Sequence, residues 1–203
     1  MRYDNPAHFI ERVTERPKKL TLPEPNQFEK FVAAIESSGS GFSRPCADLV
    51  SFLAYGGFRK TEAAHITWGD CDFVRGAITV HGDPETGTKG TDSGPRTVPM
   101  IPEMRALLER LKKQRPDEEG TARVMQVQEC QKAMNRAAKA VDMTRITHHD
   151  LRHLFATRCI ESGVDIPTVS RWLGHKDGGA LAMKVYGHLR DQHSQAMAQK
   201  VKF

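Results

Sequence analysis

Residues 147–188 decide the fold, reading THHDLRHLFATRCIESG (147–163), VDIPTVSRWLGH (164–175) and KDGGALAMKVYGH (176–188). Thr147 and Asp150, three residues apart, form a capping-box pattern that predicts the start of a helix. Apolar residues at i, i+3, i+4 and i+8 predict the buried stripe of that helix, namely Leu151, Leu154, Phe155 and Cys159. A second helix is predicted to begin at Asp165 and to end at Gly174.

The same stretch carries side chains suited to a phosphate. His149, Arg152 and His153 are predicted to share a different face of the first helix, in its first two turns. A helix start offers free N–H groups and a partial positive charge, so imidazole and guanidinium groups there suit an anion. His175 follows the second helix, and Tyr186 follows a short Gly-rich connection. One segment thus delivers imidazoles, a guanidinium and a phenol.

Bulk properties narrow the class of protein. The chain has 203 residues, 38% of them hydrophobic and 27% charged, which fits one large domain with a real core. Its net charge of +5 is compatible with a polyanionic partner, although many enzymes without one are equally basic. Four cysteines at no metal-ligand spacing predict reduced, buried thiols in a cytoplasmic protein. No apolar run could cross a membrane and no signal peptide is visible, so we expect no membrane association.

The rest of the chain predicts a mainly α fold with a small antiparallel β-sheet (α+β). Helices are expected from Pro25, after the loop 38–41, over 60–68, from Pro102, over about 127–141 and over about 190–202. Strands are expected at 70–73, 77–81 and 96–100, with a polar loop around Lys89 between the last two. Residues 21–203 are expected to form one domain, preceded by a basic segment, 1–20, with little pattern.

A zinc site is the obvious alternative reading of the histidines. His149 and His153 stand four residues apart, as zinc ligands often do. However, the HDLRH sequence lacks the glutamate that serves as the base in HExxH, and Arg152 between the two would repel a cation. A metal site is therefore disfavoured. Taken singly, Arg59 could simply end a core helix, and Lys89 could be an ordinary exposed lysine.

Five motifs in a fixed order resemble the tyrosine recombinases, also called the phage integrase family: GGFRKTE (56–62), TKG (88–90) with RTVPM (96–100), HHDLRH (148–153), LGH (173–175) and YGH (186–188). The resemblance covers nearly all of residues 21–190. It implies the catalytic set Arg59, Lys89, His149, Arg152, His175 and Tyr186, supported by Glu62 and His153. The connection before Tyr186 is slightly longer than in the commonest members, and the threonine that often precedes this tyrosine is absent.

The resemblance implies a site-specific DNA recombinase or integrase that acts on double-stranded DNA. Tyr186 would form a 3′-phosphotyrosine link, so cleavage and rejoining would need no ATP, metal or cofactor. It also implies that residues 1–20 are a linker or the remnant of a missing N-terminal DNA-binding domain. The helix at 190–202 would dock on a neighbouring subunit. The full-length protein would act as a tetramer on DNA, and this fragment alone is expected to be monomeric.

Three alternatives stay open at this point. A type IB topoisomerase uses similar groups but relaxes DNA, which a supercoil-relaxation assay would detect. A DNA-binding regulator would do no chemistry, and the intact Tyr186 and both arginines weigh against it. A metalloenzyme using the histidine cluster would contain metal after purification.

Overall fold

The computed structural model describes residues 21–81 and 95–175. The predicted mainly α fold with a small antiparallel sheet is confirmed. Seven α-helices lie in the described part of the chain: α1 Pro25–Glu36, α2 Ser43–Gly56, α3 Lys60–Ala63, α4 Pro102–Gln114, α5 Gln131–Ala140, α6 His148–Glu161 and α7 Ile166–Leu173. A short 3-10 helix, Trp68–Asp70, precedes the sheet.

The sheet has three short strands in the order β1-β2-β3, all antiparallel: β1 Cys71–Asp72, β2 Ala77–Val80 and β3 Arg96–Pro99. All three lie within the segments predicted as strands. Ile78 faces Val98 across β2 and β3, and both side chains are buried. Side chains alternate between the two faces of a strand, so Arg96 shares the inward face of β3 with Val98.

Helix α2 is the centre of the core. Most of its residues are buried, and it packs against α1, α4 and α6. Gly57 caps its C-terminal end with a left-handed φ of 63°, and a Cβ atom there would lie 2.4 Å from the ring of Phe155 on α6. Only glycine fits this turn and this close approach. The turn places the next residues, Phe58 and Arg59, beside α6.

Two predicted helices are longer than those observed. The helix expected over 127–141 begins at Gln131 instead. The N–H of Gln131 donates to Oε1 of Glu129 at 2.8 Å, and the N–H of Cys130 donates to Nε2 of His148 at 3.4 Å. These side chains take the N–H groups that a helix starting at 127 would use or leave free, so the first turn of the predicted helix does not close. The helix expected over 60–68 is the single turn α3 followed by the separate 3-10 helix.

The four cysteines are free and buried, as predicted: Cys46, Cys71, Cys130 and Cys159. Burial raises the pKa of Cys71, Cys130 and Cys159 to about 12, which makes these thiols poor nucleophiles. Across residues 21–81 and 95–175, no helix is long and apolar enough to span a membrane. The predicted segments 1–20 and 190–202 lie outside the described residues.

Candidate active site

The predicted start of α6 is confirmed in detail. The backbone N–H and the hydroxyl of Thr147 donate to Oδ2 of Asp150 at 2.7 and 2.9 Å, and the N–H of Asp150 donates back to the hydroxyl at 3.3 Å. The predicted apolar stripe is buried: Leu151, Leu154, Phe155 and Cys159. These contacts fix both the start and the rotation of the helix, and hence the direction of its polar side chains.

Arg152 lies deeper than the sequence indicated. It was expected on a polar face with His149 and His153, but the residue is only 3% exposed. Its Nη1 donates to the carbonyl oxygen of Gly57 at 2.7 Å, and its Nη2 donates to the carbonyl oxygen of Leu173. The guanidinium thus joins the ends of α2 and α7. Its position is set by two backbone carbonyls from distant parts of the chain.

Arg59 and Glu62 form a compact unit at the start of α3. The Oε2 atom of Glu62 accepts from the backbone N–H of Arg59 at 2.7 Å, and its Oε1 accepts from Nη1 of Arg59 at 2.7 Å. Glu62 is 6% exposed, whereas the side chain of Arg59 is 38% exposed. Nη1 of Arg152 lies 3.9 Å from Oε2 of Glu62. One buried carboxylate therefore contacts both predicted catalytic arginines.

A third arginine reaches the same carboxylate. The Nη1 and Nη2 atoms of Arg96 donate to the two oxygens of Glu62 at 2.9 and 2.7 Å. Burial alone would raise the pKa of Glu62. The hydrogen bonds and charge of Arg96, the backbone N–H of Arg59 and the charge of Arg152 outweigh burial and lower that pKa below its ordinary value. Glu62 is therefore ionised at neutral pH.

Helix α7 brings His175 to this cluster. The carboxylate of Asp165 accepts from the N–H of Thr168 at 2.8 Å, so the predicted helix start is confirmed. The predicted end at Gly174 is also confirmed, with a left-handed φ of 68°. The next N–H, that of His175, donates to the carbonyl of Ser170 at 3.0 Å. His175 thus follows directly from the helix end that Arg152 binds.

The imidazoles of His149 and His153 contact each other edge to face, with ring centroids 4.6 Å apart. Burial, followed by the positive charge around it, lowers the pKa of His153 to about 4. Although His149 is exposed as a residue, partial burial of its ring and the charge of Arg152 lower its pKa as well. Asp150 opposes both shifts without reversing them. Both rings are therefore neutral at pH 7 and can accept a proton.

A cavity of about 330 Å³ opens beside these groups. It is lined by Phe58, Arg59, Lys60, Thr147, His148 and His149. The more exposed predicted arginine and one of the neutral imidazoles therefore face the same space. A negatively charged group that entered this cavity would meet a guanidinium and a proton acceptor together.

The model of the phage integrase family matches residues 23–193. This chain belongs to the phage integrase family. Among curated proteins it is similar to the ICEBs1 integrase of Bacillus subtilis (strain 168), with 27% identity over 97% of this chain and 58% of that protein. The chain therefore spans a little over half the length of this relative.

Solved structures show the same fold. The catalytic domain of bacteriophage HP1 integrase aligns with a TM-score of 0.63 and 19% identity, covering 89% of this chain and 95% of that one. The Tn1549 transposon integrase in complex with transposon right end DNA aligns with a TM-score of 0.68 and 21% identity, covering 93% of this chain and 67% of that one.

In this integrase-family domain, the described residues bring together Arg59, Glu62, His149, Arg152, His153 and His175 of the predicted set. Lys89 and Tyr186 lie outside the described residues. Sequence reasoning overlooked Arg96, although an arginine on the inward face of a strand signals a buried partner. It also overlooked His148, whose Nε2 lies 3.2 Å from the sulfur of Cys130. Among residues 21–81 and 95–175, no group of three or more His, Cys, Asp or Glu side chains could hold a metal ion.

Proposed function

We propose that this chain is the catalytic domain of a site-specific recombinase that cleaves and rejoins double-stranded DNA through a 3′-phosphotyrosine intermediate. The observation that carries the proposal is the convergence of α3, α6 and the end of α7 around Glu62. Arg59, Arg152 and His175 come from motifs far apart in the chain, and the resemblance of these motifs to those of tyrosine recombinases implies the same set. A cluster of arginines around one buried carboxylate is costly to build for stability alone, so it favours a functional role.

The two guanidiniums would bind the scissile phosphate. A phosphodiester carries one negative charge, and attack on phosphorus builds further charge on its non-bridging oxygens. Arg59 and Arg152 are permanently charged donors, so they would stabilise that charge where it develops. His175 would donate a hydrogen bond to the same phosphate.

The nucleophile would be Tyr186. Its phenol oxygen would bond to phosphorus while the bond from phosphorus to the 5′ oxygen breaks. A phenol with a pKa of about 10 is a weak nucleophile at neutral pH, so its proton would pass to an acceptor. The neutral ring of His149 suits that role, since the lowered pKa keeps it unprotonated. Lys89 would give a proton to the departing 5′ oxygen.

Rejoining would reverse these steps with a second DNA end. The 5′-hydroxyl of another strand would attack the phosphotyrosine, the phenol would leave, and no external energy source would be consumed. The phosphodiester bond is exchanged and not hydrolysed. Complete exchange between two duplex sites cleaves and rejoins four strands, and each chain supplies one tyrosine, so we propose that the full-length protein acts as a tetramer on DNA.

The test is covalent trapping. Nicked duplexes with randomised sequence around the nick are incubated with the 203-residue chain, and a denaturing gel then separates protein–DNA adducts. We expect the wild type to form an adduct, and the DNA found in that adduct is the selected sequence. Tyr186→Phe should form no adduct but should bind the selected DNA equally well, because the phosphate contacts come from other side chains. An adduct in the Phe variant would refute the assignment of Tyr186.

The selected sequence then separates the proposal from its alternatives. A recombinase should relax only plasmids that carry the selected site, whereas a type IB topoisomerase should relax plasmids without it. A chain that binds DNA but forms no adduct on any duplex would be a DNA-binding regulator.

A further inference from the structure

Arg96, at the start of β3, is bound at the candidate active site by several hydrogen bonds. Its side chain is 16% exposed and donates from three nitrogens. Two of these bonds go to the oxygens of Glu62, at 2.9 and 2.7 Å. The third runs from Nε to the carbonyl oxygen of Trp172, at 2.8 Å. One planar group thus connects β3, α3 and the end of α7.

The contact with α7 is close. A Cβ atom on Gly174 would lie 3.0 to 3.2 Å from three atoms of the Arg96 side chain, so the guanidinium packs directly against the helix end. Arg152 binds the neighbouring carbonyl, that of Leu173. Two cations at the C-terminal end of a helix complement the negative end of its dipole. The backbone immediately before His175 is therefore held by Arg96 and Arg152 together.

We propose that Arg96 is a positioning residue for the DNA cleavage proposed above. It fixes the plane of the Glu62 carboxylate, which in turn holds Arg59, and it fixes the helix end from which His175 emerges. Arg96 need not touch DNA to do this. The inference rests on the proposed function, since positioning is defined here by its effect on the cleavage step.

Arg96 matters because several donors compete for the carboxylate of Glu62. The oxygens of Glu62 accept from Arg59 and Arg96, and Nη1 of Arg152 lies further away, at 3.9 Å. With the bidentate bond removed, the carboxylate would be free to turn towards Arg152. A closer pair would draw Arg152 from its two carbonyl partners and change where it meets a phosphate.

Lysine cannot replace this arginine. An ammonium keeps the charge but lacks the planar fork that binds two carboxylate oxygens side by side and a carbonyl at once. Arg96→Lys therefore changes geometry while conserving charge. A displacement of about 1 Å in a reacting arrangement costs on the order of a hundred-fold in rate.

Arg110→Lys is the matched control. Nη2 of Arg110 on α4 donates to Asp48 on α2, whose side chain is 12% exposed. This pair also joins an arginine to a largely buried carboxylate, but it lies between α2 and α4, outside the candidate active site. Arg110→Lys should lower stability without changing the cleavage rate of folded protein.

The experiment measures three quantities for the wild type, Arg96→Lys, Arg96→Gln and Arg110→Lys. These are the dissociation constant for the nicked duplex selected by the wild type, the single-turnover rate of adduct formation at saturating duplex, and the melting temperature. We expect Arg96→Lys to lower the rate by about a hundred-fold, with the dissociation constant within about two-fold of the wild type. Arg96→Gln, which retains amide donors but no charge, gives the same comparison if the lysine variant does not fold.

Each other outcome overturns the inference. A wild-type rate in Arg96→Lys would show that no positioning occurs. A loss confined to affinity would make Arg96 a DNA contact, and an equal loss of rate in Arg110→Lys would make the effect one of stability. A wild type that forms no adduct on any duplex would overturn the proposed function itself, and this inference with it.

Discussion

Replacing Glu62 by glutamine should destabilise this domain strongly. The carboxylate is 6% exposed and accepts from two guanidiniums and one backbone N–H at 2.7 to 2.9 Å. Removing one partner of a buried ion pair costs about 3–5 kcal/mol, because the remaining charge stays buried. Glutamine keeps the shape, but its amide group turns two N–H donors towards other donors. The loss should lie near the lower figure, since the side chain of Arg59 is 38% exposed and water can solvate it.

That loss is measurable by urea and thermal unfolding. A destabilisation of about 3 kcal/mol in a chain of this length lowers the melting temperature by roughly 6–12 °C. Glu129→Gln is the control, because Glu129 pairs with Lys60 at 2.6 Å but its side chain is 56% exposed. Exposed pairs contribute about 0–1 kcal/mol, so this variant should unfold almost as the wild type does.

The pH dependence gives the same argument a second test. The pKa of Glu62 is lowered in the folded state, so its stabilising contribution is present above the unfolded pKa and is lost as pH falls through the folded pKa. The difference between the wild type and Glu62→Gln should be constant above about pH 5 and should shrink below about pH 4, the ordinary range for a carboxyl group. A difference under about 0.5 kcal/mol at pH 7, within the scatter of surface substitutions, or one that persists unchanged in acid, would refute this account of the cluster.

Two further predictions concern other residues. Lys89→Ala should form the covalent adduct about a hundred- to ten-thousand-fold more slowly than the wild type. A substrate with sulfur in place of the bridging 5′ oxygen should restore the rate, because a thiolate leaves without a proton. Equal slowing on both substrates would instead make Lys89 a phosphate contact. The ring of His153 should titrate near pH 4 by NMR, and a midpoint at the ordinary value of about 6.5 would show that burial and the surrounding positive charge do not act on it as described.

Local patterns predicted local structure well. The Thr147–Asp150 capping box and the limits of α7 at Asp165 and Gly174 were readable from sequence, since each depends on hydrogen bonds spanning a few residues. The start of α5 was misplaced for the opposite reason. It involves a contact between Cys130 and His148, two residues that are distant in the chain, and no periodicity in a single sequence reports such a contact.

The motifs named candidate residues for the site, but the sequence did not indicate how those residues are arranged. The motifs identified Arg59 and Arg152 as candidates, yet nothing in the sequence indicated that Arg152 would be buried under the carbonyls of Gly57 and Leu173. Arg96 was missed because its partners, Glu62 and Trp172, lie far along the chain. Contacts of this kind arise only when the elements pack, and side-chain burial then decides which charged groups meet.

The arrangement of charge explains how the cluster can be stable alone and still attract an anionic group. Three guanidiniums contact one carboxylate, so Glu62 alone does not neutralise them. Backbone carbonyls at the ends of α2 and α7 orient Arg152 through their dipoles, but they do not cancel its charge. Burial first, and then the surrounding positive charge, lower the pKa of the neighbouring imidazoles and keep them neutral. A phosphate entering this site would therefore meet uncompensated positive charge, which follows from the clustering of arginines, together with an unprotonated base, which follows mainly from burial.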